Sequence, residues 1–343
     1  MTFTRRMLLG AFAAVCVSTS AAAQEVTLRL HQFLPAQANV PAHILDVWAD
    51  NIEKDSNGRI KIDRFPSMQL GGSPPQLIDQ AIDGVADIVW TVAGYTPGRF
   101  PQLEVFELPF ISPDAEATSR AYWELAEARM MDTDFADFKP LGLWVHGPGV
   151  IHTNRPITDV ADLRGLKLRA PSRTTTTMFT ELGATSVGMP VPAVPESLSR
   201  GVIDGAVIPW EVVPALKVQE LVTYHTEFPG DALYTLAFIM AMNQDAYNAL
   251  PADLQAVIDA NSGLEFSAFA GRTQQNDDAP GRALAEERGN TIITLDETQV
   301  AAWRAASQTT IDNWIAEATA AGLDGQGIYD DATALIAKHS MGK

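Results

Sequence analysis

The sequence has 343 residues, and its 24 basic and 42 acidic side chains give a formal net charge of −18 at neutral pH. Nucleic acid and anionic membrane surfaces repel a chain of this charge, so neither is an expected partner. The single cysteine, Cys16, excludes an internal disulfide and a thiolate metal site.

The first 23 residues have the pattern of an export signal. Arg5 and Arg6 precede an apolar run over 7–17, and three alanines end at Ala23, so we expect cleavage between Ala23 and Gln24. The apolar run is well short of the roughly 20 residues that a membrane-spanning helix requires. The mature chain then carries 22 basic and 42 acidic residues, a formal charge of −20. Both the Sec and the twin-arginine export routes stay open.

The mature chain, at about 320 residues, exceeds the ~250–300 residues at which a single core stops growing, so two lobes are expected. After a first strand over 26–30, a common plan occurs twice, over 58–90 and over 165–210. Each copy comprises a strand, a helix, an Asp-Gly turn and a second strand. Asp-Gly is typical of a helix that ends in a left-handed residue, and strand-helix-strand units are right-handed and parallel. The pattern predicts two related α/β lobes.

The last third of the sequence is mainly helical in pattern. Apolar residues at spacings of three and four predict helices over 252–271 and 298–321. We expect these long helices to cross between the lobes or to buttress them.

Ligands of open α/β sheets lie beyond the carboxyl ends of the strands, so residues at those ends are the candidates for a binding site. Arg169 follows an apolar strand, where an unpaired guanidinium is costly. Its partner is either a ligand carboxylate or the carboxylate of a structural ion pair. Several large aromatic residues also lie at or near strand ends, where they form either the core or an apolar cleft wall: Phe33, Trp90, Trp144, Trp210 and Phe238.

Signatures of catalysis are scarce in the sequence. Dinucleotide, phosphate-loop, His-Glu-x-x-His and Gly-x-Ser-x-Gly motifs are all missing, and the six histidines lack the spacing of zinc ligands. We therefore expect no cofactor, no metal and no enzymatic activity. The strand ends offer an enzyme only His31 and Ser73. His146, in a predicted crossover between the lobes, either reaches the cleft or bonds to backbone.

Three motifs together carry a resemblance to a known family. The stretches 162–171, 201–205 and 69–72 resemble those of the solute-binding subunits of tripartite ATP-independent periplasmic (TRAP) transporters, the dicarboxylate-binding-protein (DctP) family. The likeness spans essentially the whole mature chain. It implies a periplasmic, type II-like clamshell, in which two lobes with mixed sheets flanked by helices close on an organic acid. It also implies docking on a small and a large membrane subunit, and we expect a monomer.

The resemblance also predicts the lobe boundaries and the binding residues. Lobe I comprises 24–146 and about 235–275, and lobe II comprises 147–234 and about 276–343. The carboxylate-binding arginine of the family falls on Arg169. The polar contacts of the sialic-acid-binding members fall on five positions, of which only Ser73 is polar and Gly149 replaces a second arginine: Phe33, Ser73, Val92, Gly149 and Ile208.

The apolar character of these positions argues against a sugar acid, since hydroxyl groups would lack partners. The predicted ligand is an aromatic or apolar monocarboxylate; a short dicarboxylate, a sugar acid, an exported enzyme and a sensor subunit are the alternatives. Arg64, Arg99, Arg173 and His146 are the candidates for a second anion contact. The predicted ligand-binding set is Arg169, Phe33, Trp90, Val92, Ser73, Ile208, Trp210, Phe238 and His146.

Overall fold

The computed structural model describes residues 24–341, so the predicted export signal lies outside the described residues. The strands are β1 Val26–His31, β2 Ile60–Phe65, β3 Ile88–Val92, β4 Phe138–Val145, β5 Gly149–Thr153, β6 Lys167–Ala170, β7 Thr185–Gly188, β8 Gly205–Pro209, β9 Tyr224–Glu227, β10 Ala237–Asn243 and β11 Thr291–Thr294. The helices are α1 Asp46–Asp55, α2 Leu77–Ile82, α3 Ala115–Arg129, α4 Arg173–Glu181, α5 Val194–Ser199, α6 Val213–Leu216, α7 Gln244–Asn248, α8 Ala252–Ala260, α9 Leu264–Asn276, α10 Asp278–Glu287, α11 Glu297–Ala320 and α12 Gly325–Ser340.

The strands form two mixed sheets flanked by helices, which confirms the predicted two-lobed α/β fold. The first sheet has the order β2-β1-β3-β10-β4, with β1, β2 and β3 parallel and β10 antiparallel to its neighbours. The second has the order β11-β9-β5-β8-β6-β7, with β6 parallel to both β7 and β8. The late strand β10 returns to the first sheet, so the chain passes between the lobes more than once.

Both predicted strand-helix-strand units are present, but their glycines differ. In the first unit Gly84 has φ of +68°, the left-handed conformation expected after α2. In the second unit the left-handed residue after α5 is Gly201, with φ of +67°. Gly205 instead begins β8, where a Cβ atom would approach the backbone oxygen of His152 to 2.6 Å. Its role is to allow close packing of two strands.

Of the two helices predicted in the final third, one is present as a single helix and the other is divided into two. Helix α11 matches the prediction over 298–321, whereas 252–271 comprises α8 and the first part of α9. The division is at Gly263, which has φ of +87° and donates its backbone N–H to the carbonyl oxygen of Leu141 on β4 at 2.8 Å. The periodicity of the sequence did not reveal this break because apolar spacing continues across it.

The C-terminal helix lies on the first lobe. Arg129 of α3 pairs with Asp331 of α12 at 2.5 Å, and Glu124 of α3 pairs with Lys338 of α12 at 2.7 Å. Helix α11 packs against α4 of the second half, and α10 packs beside α6 and β11. The assignment of 276–343 to lobe II stays a prediction. Within 24–341, helices that are both long and apolar enough to cross a membrane are absent.

Candidate functional site

A cavity lined by residues of both halves of the fold lies between the two sheets. The carboxyl ends of four parallel strands, β1, β3, β6 and β8, open onto it, as expected for open α/β sheets. The lining residues are Phe33, Leu34, Trp90, Val92, Tyr95, His146, Arg169, Val191, Ile208, Pro209, Glu211, Val212, Tyr234, Leu236, Phe238 and Gln274.

Arg169 is the only arginine or lysine that lines this cavity in the described part of the chain. Its side chain is 2% exposed, and its Nε and Nη1 donate to the carbonyl oxygens of Met189 at 2.9 Å and Val207 at 3.0 Å. Its Nη2 is buried and has no hydrogen-bond partner within normal geometry, and the Tyr95 hydroxyl lies close enough to interact with the guanidinium. Within residues 24–341, the side chains that act electrostatically on Arg169 are Tyr95 and Tyr234 and not a carboxylate, although a buried guanidinium without a counter-charge is unfavourable. The unpaired nitrogen therefore offers a site for an anion.

Two tyrosine hydroxyls extend this anion site. Tyr95 accepts a hydrogen bond from the backbone N–H of Val191 at 2.9 Å, which leaves its own proton free to be donated. The hydroxyl of Tyr234 is buried without a partner. Burial raises the pKa of both tyrosines, while the nearby charge of Arg169 opposes this rise. Both tyrosines are neutral donors at neutral pH, and with Arg169 they form a set of donors suited to a carboxylate.

His146 both reaches the cavity and bonds to backbone, the two alternatives that the sequence left open. Its Nδ1–H donates to the carbonyl oxygen of Gly147 at 2.5 Å, while its Nε2 is buried without a partner in the cavity wall. Burial lowers the pKa of His146 to about 4. The ring is therefore neutral at neutral pH, and Nε2 is a hydrogen-bond acceptor.

Stacked aromatic rings form one wall of the cavity. The ring of Phe33 stacks on Trp90 with centroids 4.6 Å apart, and Phe238 stacks on Trp90 at 5.3 Å. Trp144 lies behind them, parallel to Trp90 at 6.3 Å. Such offset stacks form a rigid apolar surface for a planar ligand. Val92 and Ile208, predicted from the sequence, also line the cavity.

A second polar group of the cavity was missed by the sequence analysis. Gln274 of α9 donates through Nε2 to Oε1 of Glu211 at 2.8 Å, and Trp144 Nε1 donates to Oε1 of Gln274 at 2.8 Å. Burial raises the pKa of the Glu211 carboxyl to about 8. Glu211 lies just beyond the predicted end of β8 and belongs to no recognised motif, so only its proximity to Trp210 in sequence hinted at it.

Two predicted site residues lie away from the cavity. Ser73 is exposed and bonds to Gln76, because it caps the turn that precedes α2. Trp210, the residue after β8, is buried outside the cavity, where its Nε1 donates to Glu227 at 2.9 Å and its ring packs on His152. Strand β8 ends at Pro209, and the turn that follows directs Trp210 away while placing Glu211 in the cavity wall.

The three arginines that were candidates for a second anion contact also lie outside the cavity. Each is already paired with a carboxylate: Arg64 with Glu53 at 3.1 Å, Arg99 with Asp79 at 2.5 Å and Arg173 with Glu104 at 3.0 Å. Of the four candidates only His146 reaches the cavity, and it does so as a neutral ring.

His31, the histidine considered for an enzymatic role, is held in a structural position. Its Nδ1–H donates to Gln80 at 2.7 Å, and its Nε2 accepts the backbone N–H of Leu70 at 3.3 Å. Neither His31 nor Ser73 lines the cavity. The two residues are not brought together there as an acid–base or nucleophilic pair.

Several known proteins resemble this chain along most of its length. A TRAP solute-binding protein from Rhodoferax ferrireducens T118, solved with copurified benzoate, is 50% identical with a TM-score of 0.91 and covers 92% of this chain and 98% of its own. A marine metagenome TRAP solute-binding protein with 3-hydroxybenzoate is 46% identical with a TM-score of 0.90, at 92% and 99% coverage. The C4-dicarboxylate-binding periplasmic protein DctP of Rhodobacter capsulatus is 24% identical over 253 residues, which cover 73% of this chain and 75% of the relative.

The sequence profile of the bacterial extracellular solute-binding proteins, family 7, matches residues 34–318. This range includes every strand of both sheets except β1. The match agrees with the two-lobed architecture and with the resemblance seen in the three motifs. This chain therefore belongs to family 7 of the bacterial extracellular solute-binding proteins, the DctP family of TRAP transporter solute-binding subunits.

Proposed function

We propose that the mature chain works in the periplasm, where it captures a small aromatic monocarboxylate between its lobes and delivers it unchanged to the TRAP membrane subunits. Arg169, Tyr95 and Tyr234 hold the carboxylate, and the rings of Phe33 and Trp90 bury the body of the ligand. The observation that carries the proposal is the buried Nη2 of Arg169, which has no protein partner in a cavity with aromatic walls.

Magnitudes favour a ligand with a large apolar body. Micromolar capture requires about 8 kcal/mol, of which a charge-assisted hydrogen-bond pair supplies roughly 1.5–3 kcal/mol. Burial of roughly 200 Å² of apolar ligand surface contributes about 5 kcal/mol at ~25 cal/mol per Å². An aromatic acid has that surface, whereas a short dicarboxylate lacks it. A second carboxylate would also lack a cationic partner among the lining residues.

The ligands of similar proteins support the same class. The relatives at 50% and 46% identity were solved with benzoate and 3-hydroxybenzoate. A relative from Bordetella bronchiseptica at 29% identity was solved with (R)- and (S)-mandelate. All three ligands are aromatic monocarboxylates, the class that we propose for this cavity.

A thermal-shift screen of the mature protein tests the proposal. Benzoate, succinate and N-acetylneuraminate are compared at equal concentration, followed by calorimetric titration of each acid. We expect benzoate alone to raise the melting temperature, since ligand at 100 times its Kd stabilises the native state by about 2.7 kcal/mol. Stabilisation by succinate without any effect of benzoate contradicts the proposal.

A further inference from the structure

The polar groups of the cavity have different electrostatic neighbours. The charge of Arg169 acts on the hydroxyls of Tyr95 and Tyr234 and lowers their pKa values against the effect of burial. The carboxyl of Glu211 is instead hydrogen-bonded to Gln274 and is affected by the charge of Asp277. Glu211 and Gln274 therefore form a second polar group, distinct from the three donors around the guanidinium.

Glu211 is held rigidly in the cavity wall. Its backbone N–H donates to Oδ1 of Asp278 at 2.9 Å, and its Oε1 accepts from Gln274 at 2.8 Å. Gln274 is itself oriented by the indole N–H of Trp144 at 2.8 Å. One polar atom of this group remains without a hydrogen bond. Glu211 is 3% exposed, and its Oε2 is buried without a partner.

A plain aromatic ring would leave this oxygen unsatisfied. An unpaired buried polar atom costs roughly five- to a hundredfold in affinity. A hydroxyl group on the ring removes the cost by hydrogen-bonding to Oε2. A second carboxylate on the ring would instead lie close to acidic groups, because Asp277 and Asp278 are near enough to Glu211 for their charges to interact with it.

The protonation state of Glu211 fits a neutral hydroxyl partner. Burial raises the pKa of this carboxyl to about 8, so it is mainly neutral at neutral pH. A neutral carboxyl both donates and accepts hydrogen bonds, as a phenolic hydroxyl does. It also avoids placing a negative charge in the cavity that receives the ligand's carboxylate.

We propose that Glu211, oriented by Gln274, is the specificity-determining contact for a ring hydroxyl, and that the chain's preferred ligands are hydroxylated aromatic monocarboxylates. This inference rests on the proposed function, because the ligand's carboxylate occupies the Arg169 end. Glu211 then distinguishes among aromatic acids that Arg169 alone would bind equally.

A comparison of ligands on the wild-type protein tests the inference without any substitution. Calorimetric titrations compare 3-hydroxybenzoate with 3-methylbenzoate and 4-hydroxybenzoate with 4-methylbenzoate, because a methyl group has a similar size but cannot form a hydrogen bond. We expect the hydroxylated acid to bind at least about fivefold more tightly at one of the two ring positions. A difference below fivefold at both positions overturns the inference, while binding of all four acids still supports the proposed function. If none of the four acids binds, the proposed function itself fails.

The Glu211→Leu variant identifies the residue responsible. We expect it to lose the hydroxyl preference and to bind the methylated acid at least as tightly as the wild type does. Glu107→Leu is the matched control, because Glu107 is also a buried acid with an unpaired Oε2 but does not line the cavity. It should keep the preference. A preference that persists in Glu211→Leu overturns the assignment and points to another acceptor, such as Nε2 of His146.

Discussion

Gly149 makes room for the ring of Tyr234. A Cβ atom at position 149 would overlap that ring, and the backbone N–H of Gly149 donates to the carbonyl oxygen of Tyr234 at 3.2 Å. By resemblance, sialic-acid-binding members carry a second arginine at this position. In this chain a neutral phenol occupies the space that such a side chain would need, which favours a ligand with a single charge.

Replacement of Gly149 by alanine is therefore expected to displace Tyr234. Overpacking of a buried site costs typically 1–3 kcal/mol, and we expect benzoate to bind Gly149→Ala about tenfold more weakly in calorimetric titration. Gly188→Ala is the control, because the nearest atom to its added Cβ is Oγ1 of Thr176 at 3.8 Å. Wild-type affinity in Gly149→Ala would show that Tyr234 does not contact the ligand.

Single residues of the site differ in how far the sequence revealed them. The position of Arg169 at a strand end and within a family motif marked it, and the structure places it in the cavity. Glu211 and Gln274 could not be found in this way. Glu211 lies in the turn after β8 and Gln274 lies on α9, which packs against α3 and β4. The hydrogen bond between the two side chains depends on tertiary contact alone. The ligand-binding roles of all these residues remain predictions.

At the scale of elements, a series of hydrogen bonds through two neutral histidines connects three neighbouring strands of the second sheet, β9, β5 and β8. Asn290 donates to Nε2 of His225, whose Nδ1–H donates to Nδ1 of His152 at 2.6 Å. His152 in turn donates through Nε2 to the carbonyl oxygen of Ile208 at 3.0 Å, beside the cavity. This sequence of bonds requires both rings to be neutral. Burial lowers the pKa of His225 to about 4 and also lowers the pKa of His152 well below its usual value.

These lowered pKa values predict a loss of stability in acid. Below about pH 6.5 the unfolded chain binds protons that the folded chain does not, so the histidines' contribution is present above pH 6.5 and is lost as pH falls towards 4. The wild type should therefore lose its advantage in unfolding free energy over His225→Gln by up to about 1.4 kcal/mol per pH unit below pH 6.5, since the variant lacks this one histidine.

Urea titrations at pH 7 and pH 5 measure this difference. Thr226→Val is the control, because Thr226 is buried next to His225 on β9 and has no titratable group. Its difference from the wild type should change little over this range. An advantage over His225→Gln that is equal at both pH values contradicts the account.

The strands were more predictable than the ends and neighbours of the helices. Alternating or apolar runs bounded by Pro-Ser and Asp-Gly located β2, β3, β6 and β8 to within about two residues, because burial on a sheet imposes a strong pattern. The break between α8 and α9 depends on one backbone bond from Gly263 to β4, which has no local signal.

At the scale of the whole molecule, the packing of the last two helices could not be read from the sequence. Helix α11 packs on α4 and α12 packs on α3, so the C-terminal segment bridges the two lobes. Helical periodicity shows that each helix has an apolar face but not which lobe covers it. The cavity therefore lies between two bodies that are joined by several passages of the chain.

We infer that the protein is a monomer. The exposed large apolar residues of the described chain are few and belong to different segments, α1, the turns after α2 and α5, α10 and the end of α12: Val47, Val85, Val202, Leu284 and Met341. Stable self-association usually requires a contiguous apolar surface, and the high negative charge opposes it. Sedimentation equilibrium should yield the mass of one mature chain, with and without benzoate. A dimer mass at micromolar concentration would contradict this inference.

The most direct test of the central claim is the calorimetric titration of benzoate into the wild type and into Arg169→Met. We expect the affinity to fall at least about thirtyfold, roughly 2 kcal/mol, because the variant lacks the charged donor. The melting temperature without ligand should change by only a few degrees, since removing an uncompensated buried charge offsets the loss of the bonds to Met189 and Val207. Benzoate binding to a folded Arg169→Met within threefold of the wild-type affinity would contradict the account.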